Sequence, residues 1–283
     1  MIYTLENQNL RISVNEQGGE LVSVIKDGKE WIWQNESGEW AGHAPLLFPV
    51  CGHFGVTVDG VSYPIGAHGF AKKSKFTLVE QTKESLHLQI KADENTKKVY
   101  PFDFVFHVIY RIEGSKLTVE YLVENPAQKP LYFACGSHES FNVEGNVDEY
   151  ALCFENEEHF LHYYHDAGGY LTGATKDFGK GKLFSLPRDF LQGGETLIFK
   201  GLQSHKLSLV KTANGKPLAH ICFDGFDNLL LWRNGDAPFI CIEPWNNLPD
   251  MAGAKDIEFS KKQGVIEVPP TSTKSMVHSI EYV

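Results

Sequence analysis

Apolar and polar residues alternate along much of this chain. Leu10, Ile12 and Val14 form one such set, and Leu86, Leu88 and Ile90 another. Phe104, Phe106, Val108 and Tyr110 follow, then Leu117, Val119, Tyr121 and Val123, and later Leu207 with Leu209 and Leu229 with Leu231. A period of two puts every second side chain on one face, so each set predicts a strand with one buried side. Helical periodicity hardly appears. Between the sets stand Asp27-Gly28, Asp59-Gly60, Glu113-Gly114 and Asn214-Gly215, and Asp-Gly and Asn-Gly suit tight hairpins because both residues accept a positive φ. Many short strands joined in this way predict an all-β fold, two antiparallel sheets packed as a large β-sandwich, or a barrel. The stretch from Glu155 to Asp189 is more polar and less regular and predicts long loops or short helices at the rim. No linker, low-complexity tract or internal repeat interrupts the chain, so residues 1–283 are expected to form a single domain.

Composition adds to this picture at four points. With 283 residues, 42% of them hydrophobic, the chain can bury a large core without disulfides or metals, and its 19 Phe and 11 Tyr favour strands and a wide interior. The five cysteines, Cys51, Cys135, Cys153, Cys222 and Cys241, are odd in number and mostly lie in apolar runs, as buried free thiols of a reducing compartment do. The formal net charge is −10 and the 26 Lys and Arg are dispersed, which argues against nucleic acid as a partner. No apolar run approaches the roughly 18 residues of a membrane span, and the N-terminus alternates like a strand rather than a signal peptide. A cytoplasmic protein, monomer or homodimer, with no membrane association is expected.

Candidate chemistry sits where polar groups interrupt apolar or glycine-rich segments. Glu243 follows the apolar run Phe239 to Ile242 and precedes Pro244 and Trp245. A carboxylate so placed is desolvated, its pKa rises, and it suits the role of a general base; the plainer alternative is an edge glutamate paired with a cation. His138, in Gly136-Ser137-His138, and His68, in Gly66-Ala67-His68-Gly69, are flanked by small residues that allow close approach, and imidazole is matched to proton transfer near neutrality. Either histidine would equally serve as a structural one. Trp245 and Phe70 offer aromatic faces for the C–H surface of a sugar, and Asn142, Asn246 and Asn247 offer amides for its hydroxyls; core packing is the other reading of Phe70. His159, His162 and His165 recur every third residue and would share a face on a helix, which invites a metal reading, but no fourth-ligand pattern accompanies them and no metal site is expected. Phosphate-loop, dinucleotide and Gly-x-Ser-x-Gly motifs are absent.

These segments resemble the aldose 1-epimerases, also called galactose mutarotases, and within them the LacX-like branch. The resemblance rests on HAPLLFPVCG (43–52), His-Gly-Phe-Ala (68–71), GSHESFN (136–142) and ICIEPWNNLPD (240–250), together with the Gly18-Gly19 region. It implies a large antiparallel β-sandwich of the galactose mutarotase type that interconverts the α and β anomers of an aldose without cofactor or metal. It also implies Glu243 as general base, His138 as general acid and His68 as a second histidine that binds the sugar. Where the branch often carries Arg, this chain has His53 and Lys72, which cannot copy the rigid guanidinium fork. With Lys73 and Lys75 they offer positive charge for a 6-phosphate, so a free or a phosphorylated hexose is the expected substrate. Two other readings stand beside this one. The first is a sugar-binding module without catalysis. The second is a sugar-cleaving enzyme, which needs a second carboxylate, with Asp227 or Asp250 as the candidates.

Overall fold

The computed structural model describes residues 1–254 and 257–283. Its main feature is a 13-stranded sheet, antiparallel throughout. From one edge the order is Glu139–Asn142, Phe239–Trp245, Asn228–Trp232, Leu197–Lys200, Tyr150–His165, Lys206–Lys211 and Pro217–Cys222. Thr273–Tyr282, Lys116–Glu124, Val105–Glu113, Ser85–Lys91 and Thr77–Gln81 complete it, and Leu171–Ser185 pairs with Tyr150–His165 outside this path. A four-stranded sheet from Ile2–Glu6, Arg11–Asn15, Leu21–Lys26 and Lys29–Glu30 adds Leu5, Ile12, Val14, Leu21 and Val24 to the same apolar core as the large sheet. This is a large antiparallel β-sheet architecture of the β-sandwich type.

The alternation in the sequence is what builds it. Leu86, Leu88, Val108, Tyr110, Leu117, Val119 and Tyr121 from one end of the large sheet meet Leu207, Leu209, Leu229, Leu231, Ile240 and Ile242 from the other in one contiguous core. The turn signals close hairpins as expected. Asp27 and Gly28 have φ of 52° and 74°, and Asp59 and Gly60 have 51° and 76°, the paired left-handed geometry of a two-residue hairpin loop.

One expectation fails. Tyr150–His165 and Leu171–Ser185, 16 and 15 residues long, form an extended hairpin where loops or short helices were expected. The only helix there is the short Arg188–Gln192 at its end. The second strand is exposed along nearly its whole length, so it has no buried face to mark with alternating apolar residues, and backbone pairing rather than side-chain burial defines it. Among the described residues no helix is long and apolar enough to cross a membrane.

Candidate active site

Strand Phe239–Trp245 is buried at every position, and its two faces have different neighbours. Ile240 and Ile242 point into the main core. Phe239 and Cys241 join Trp33 in a second apolar cluster, and Trp245 joins Leu47, Cys51 and Leu230 in a third. Glu243 shares the parity of Cys241 and Trp245 and lies between those clusters. It therefore belongs to the middle of a fully buried strand face, not to a strand end. Burial holds its carboxyl well above the ordinary range, and the nearby charge of Glu139 pushes the same way. Its Oε1 is buried without a hydrogen-bond partner.

Register delivers the histidine. Glu139 pairs with Ile242 and Ser140 with Cys241, so one step further along the same ladder sets His138 opposite Glu243. The His138 Nε2 lies 3.3 Å from Glu243 Oε2, both side chains being almost wholly buried. Burial lowers the imidazole pKa to about 4. Close packing around Gly136 keeps the approach tight: a Cβ there would lie 2.7 Å from the Trp245 ring and 3.0 Å from Cys51 Sγ. Below the pair, buried Glu139 accepts from His278 at 2.7 Å. Burial opposes ionisation of Glu139, but His278 together with hydrogen bonds from Ser137 and the backbone outweighs it, and the Glu139 pKa falls.

His68 reaches the site from an unusual turn. It has φ +62° and is followed by Gly69 at +67°. Its N–H donates to the Gly52 carbonyl at 2.9 Å, and its Nδ1 accepts from the Gly52 N–H at 3.1 Å. With Nδ1 committed as acceptor, the neutral ring carries its proton on Nε2 and presents a donor. Burial, then the neighbouring His138, hold its pKa well below the usual value, which keeps it neutral. The ring lies edge-on to His138 and Trp245, with centroids 5.7 and 5.2 Å apart. The turn leaves no room at Gly69, where a Cβ would come within 2.1 Å of the Phe48 carbonyl oxygen. Gly69→Ala is expected to lower stability by about 2–4 kcal/mol, from left-handed strain plus the steric shift. A urea-denaturation midpoint equal to that of the parent protein would contradict this.

Glu243, His138, His68 and Trp245 line one cavity of about 550 Å³, together with His53, Lys72 and Lys73. That size falls in the range of small-molecule sites. Lys72 forms no ion pair among the described residues, and burial, followed by the charge of Lys73, lowers its pKa. Trp40, Trp232 and Glu20, which the sequence reading did not single out, also line the cavity, as does His165, which it weighed only as part of a metal set. Trp40 stacks on His138 with ring centroids 5.3 Å apart at 26°, and Trp232 meets Trp40 edge-on at 5.2 Å. Trp40 lies in an irregular loop anchored by the Trp33 indole, which donates to its carbonyl, so no periodic pattern announces it. The signal available was a tryptophan beside small residues in Trp40-Ala41-Gly42. A Cβ on Gly42 would strike the Trp40 ring at 2.4 Å.

Several of the sequence candidates lie elsewhere. Phe70 turns away from the cavity and packs on Phe48, Tyr100 and Phe104, because the left-handed pair at 68 and 69 reverses the chain. The Asn142 amide donates to the carbonyls of Glu30 and Ile32 at 3.2 and 2.9 Å, which ties neighbouring segments together and leaves it outside the cavity. Asn246 and Asn247 are likewise committed to backbone groups of Cys135, Gly225, Cys51 and Leu248. His159, His162 and His165 lie on a strand, not a helix, and each has its own surroundings. His159 pairs with Asp177, buried His162 accepts from the Ile198 N–H, and half-buried His165 faces the cavity. Asp250 is paired with Lys262 at 2.6 Å and Asp227 is exposed; neither lines the cavity.

The chain as a whole has known relatives. Residues 1–253 match the family model described as aldose 1-epimerase. The chain belongs to the aldose 1-epimerase family. It is 31% identical to the chromosomal protein LacX of Lactococcus lactis subsp. lactis, over 99% of both chains. Among solved structures, a galactose mutarotase-like protein from Lactobacillus casei superposes over 100% of both chains with a TM-score of 0.90 and 27% identity. A galactose mutarotase related enzyme from Lactobacillus acidophilus gives 0.89 at the same identity, covering 100% of this chain and 97% of the other. Family and fold together support an enzyme of the sugar-isomerase, mutarotase type.

Proposed function

We propose that the chain, as a member of the LacX-like branch, interconverts the α and β anomers of an aldose, with Glu243 and His138 exchanging protons with the sugar. The observation that carries the reading is the cross-strand pair itself: a carboxyl and an imidazole 3.3 Å apart, buried at the wall of a sugar-sized cavity, with a neutral donor, His68, alongside. Glu243 takes the proton of the C1 hydroxyl while His138 gives a proton to the ring oxygen. The C1–O5 bond breaks and the open-chain aldehyde forms. Rotation about C1–C2 presents the other carbonyl face, and the ring closes as both transfers run backwards. Each positioned transfer contributes roughly 10²–10⁴-fold. The reaction consumes no proton overall, which matches a pair that holds one proton between its two members. Burial puts that proton on Glu243 before a sugar binds, and the reaction runs from the tautomer with the proton on His138, reached by transfer across the 3.3 Å contact. His68 polarises a sugar oxygen through its Nε2–H, and Trp245 and Trp40 supply apolar faces. Cleavage of a glycosidic bond is less well supported, because neither Asp227 nor Asp250 stands across the cavity from Glu243.

The test is polarimetry on freshly dissolved α-glucose, α-galactose and their 6-phosphates. Relaxation faster than the spontaneous rate is expected for at least one free sugar. A preference for a 6-phosphate would assign Lys72, Lys73 and His53 to the phosphate. No acceleration with any aldose tested would leave a binding protein. Trp40→Ala removes the ring stacked on His138, a contact worth about 0.5–1.5 kcal/mol, so kcat/KM is expected to fall roughly 2–10-fold. An unchanged kcat/KM would remove Trp40 from the site.

A further inference from the structure

The same face that carries Glu243 carries a group that anomerisation does not use. Cys241 lies two residues before Glu243 on its strand, fully buried, with its thiol free. Its cross-strand partner is Ser140, so it stands diagonally beneath His138. One donor atom from each of His138, Cys241 and Glu243 lies within 4.8 Å of the other two. We propose that these three side chains form an inhibitory site for a thiophilic divalent cation of the zinc class, distinct in purpose from the sugar chemistry that shares two of its ligands.

The geometry favours this ion class. Donors about 2.1 Å from a tetrahedral zinc ion are about 3.4 Å apart, and His138 Nε2 and Glu243 Oε2 already stand at 3.3 Å. Zinc to sulfur is about 2.3 Å, so a thiolate in the same tetrahedron lies about 3.6 Å from its neighbours. The Cys241 sulfur therefore has at most about 1.2 Å to close. An imidazole, a thiolate and a carboxylate make a mixed donor set that suits zinc or cadmium and discriminates against magnesium and calcium, which prefer all-oxygen shells. Glu243 Oε1 and His138 Nδ1 have no hydrogen-bond partner, so each side chain keeps an uncommitted donor atom for an ion. The cavity gives the ion a route to His138 and Glu243, which line it, with Cys241 buried behind them. Binding releases the Cys241 thiol proton and the proton shared by His138 and Glu243, so affinity rises with pH. The ion then occupies both groups that the sugar requires. Only this consequence for activity rests on the function proposed above.

The probe is cobalt(II), titrated into metal-free protein. One ion per chain is expected, with a thiolate-to-cobalt absorption band in the near ultraviolet that zinc abolishes by displacement. Cys241→Ala should lose the band, and its anomerisation should resist a zinc concentration that silences the parent protein. Cys153→Ala, which alters an exposed thiol, should retain the band. If Cys241→Ala does not fold, Glu243→Gln decides: it should keep the band but bind cobalt roughly 10²-fold more weakly, since losing a ligand costs at least as much as losing a group that orients one. No thiolate band in the parent protein, a band that survives in Cys241→Ala, or parent-like cobalt affinity in Glu243→Gln would overturn the site. A metal-free protein that is inactive on every aldose yet shows the band would overturn the anomerisation and leave the metal site standing.

Discussion

Replacing Glu243 by Gln is expected to lower kcat at least roughly 10²-fold while changing KM far less. The amide keeps the shape of the side chain and its place between Cys241 and Trp245, but it cannot accept the C1 hydroxyl proton. That interaction develops in the transition state, so its loss falls on kcat. The pH profile follows from the same pair. Burial raises the Glu243 carboxyl and lowers the His138 imidazole to about 4, so over a broad range the two hold one proton between them. Catalysis needs that singly protonated pair. As pH falls through about 4 a second proton binds and the rate drops; as pH rises through the elevated upper value the shared proton leaves and the rate drops again. A bell-shaped kcat/KM is expected, and both limbs belong to the pair rather than to either residue. An acid limb centred above pH 6, or a flat profile, would contradict this assignment.

His138→Asn is expected to cost a similar factor, roughly 10²-fold or more, because an amide cannot protonate the ring oxygen. The double variant carries the sharper test. Two residues that act as one proton-exchanging unit lose most of their effect when either is removed, so Glu243→Gln with His138→Asn should be little slower than the worse single variant. Full multiplication of the two losses would mean that they act independently, and the cross-strand contact at 3.3 Å would then have no mechanistic meaning. Folding is to be checked by near-ultraviolet circular dichroism, because His138 stacks on Trp40.

How much of this was legible in the sequence depended on whether burial left a periodic trace. Leu86, Leu88 and Ile90, or Leu117, Val119 and Tyr121, face one core, and their strands are plain in the alternation. In the hairpin of Tyr150–His165 and Leu171–Ser185 the second strand faces solvent along most of its length, and its polar sequence concealed the pairing. In the site, Glu243, His138, His68, His53, Lys72 and Trp245 converge on one cavity. The pairing of Glu243 with His138 was beyond reach, since it depends on the register between Glu139–Asn142 and Phe239–Trp245, about 100 residues apart along the chain. Phe70 and Asn142 were drawn in by adjacency to motif residues. One turn in the left-handed region and two hydrogen bonds to backbone carbonyls take them elsewhere. Trp40 and Trp232 carry no motif, and only the folded loop lays Trp40 over His138.

The central claim is that the buried carboxyl–imidazole pair opens and closes a sugar ring. The most direct measurement is NMR exchange between the α and β anomeric protons of glucose or galactose at equilibrium, with equal concentrations of parent protein and Glu243→Gln. The account predicts magnetisation transfer well above the protein-free rate in the parent and a return to near that rate in Glu243→Gln, with the fold intact in both. Equal exchange in the two proteins, or none above background in the parent with any aldose, would contradict it.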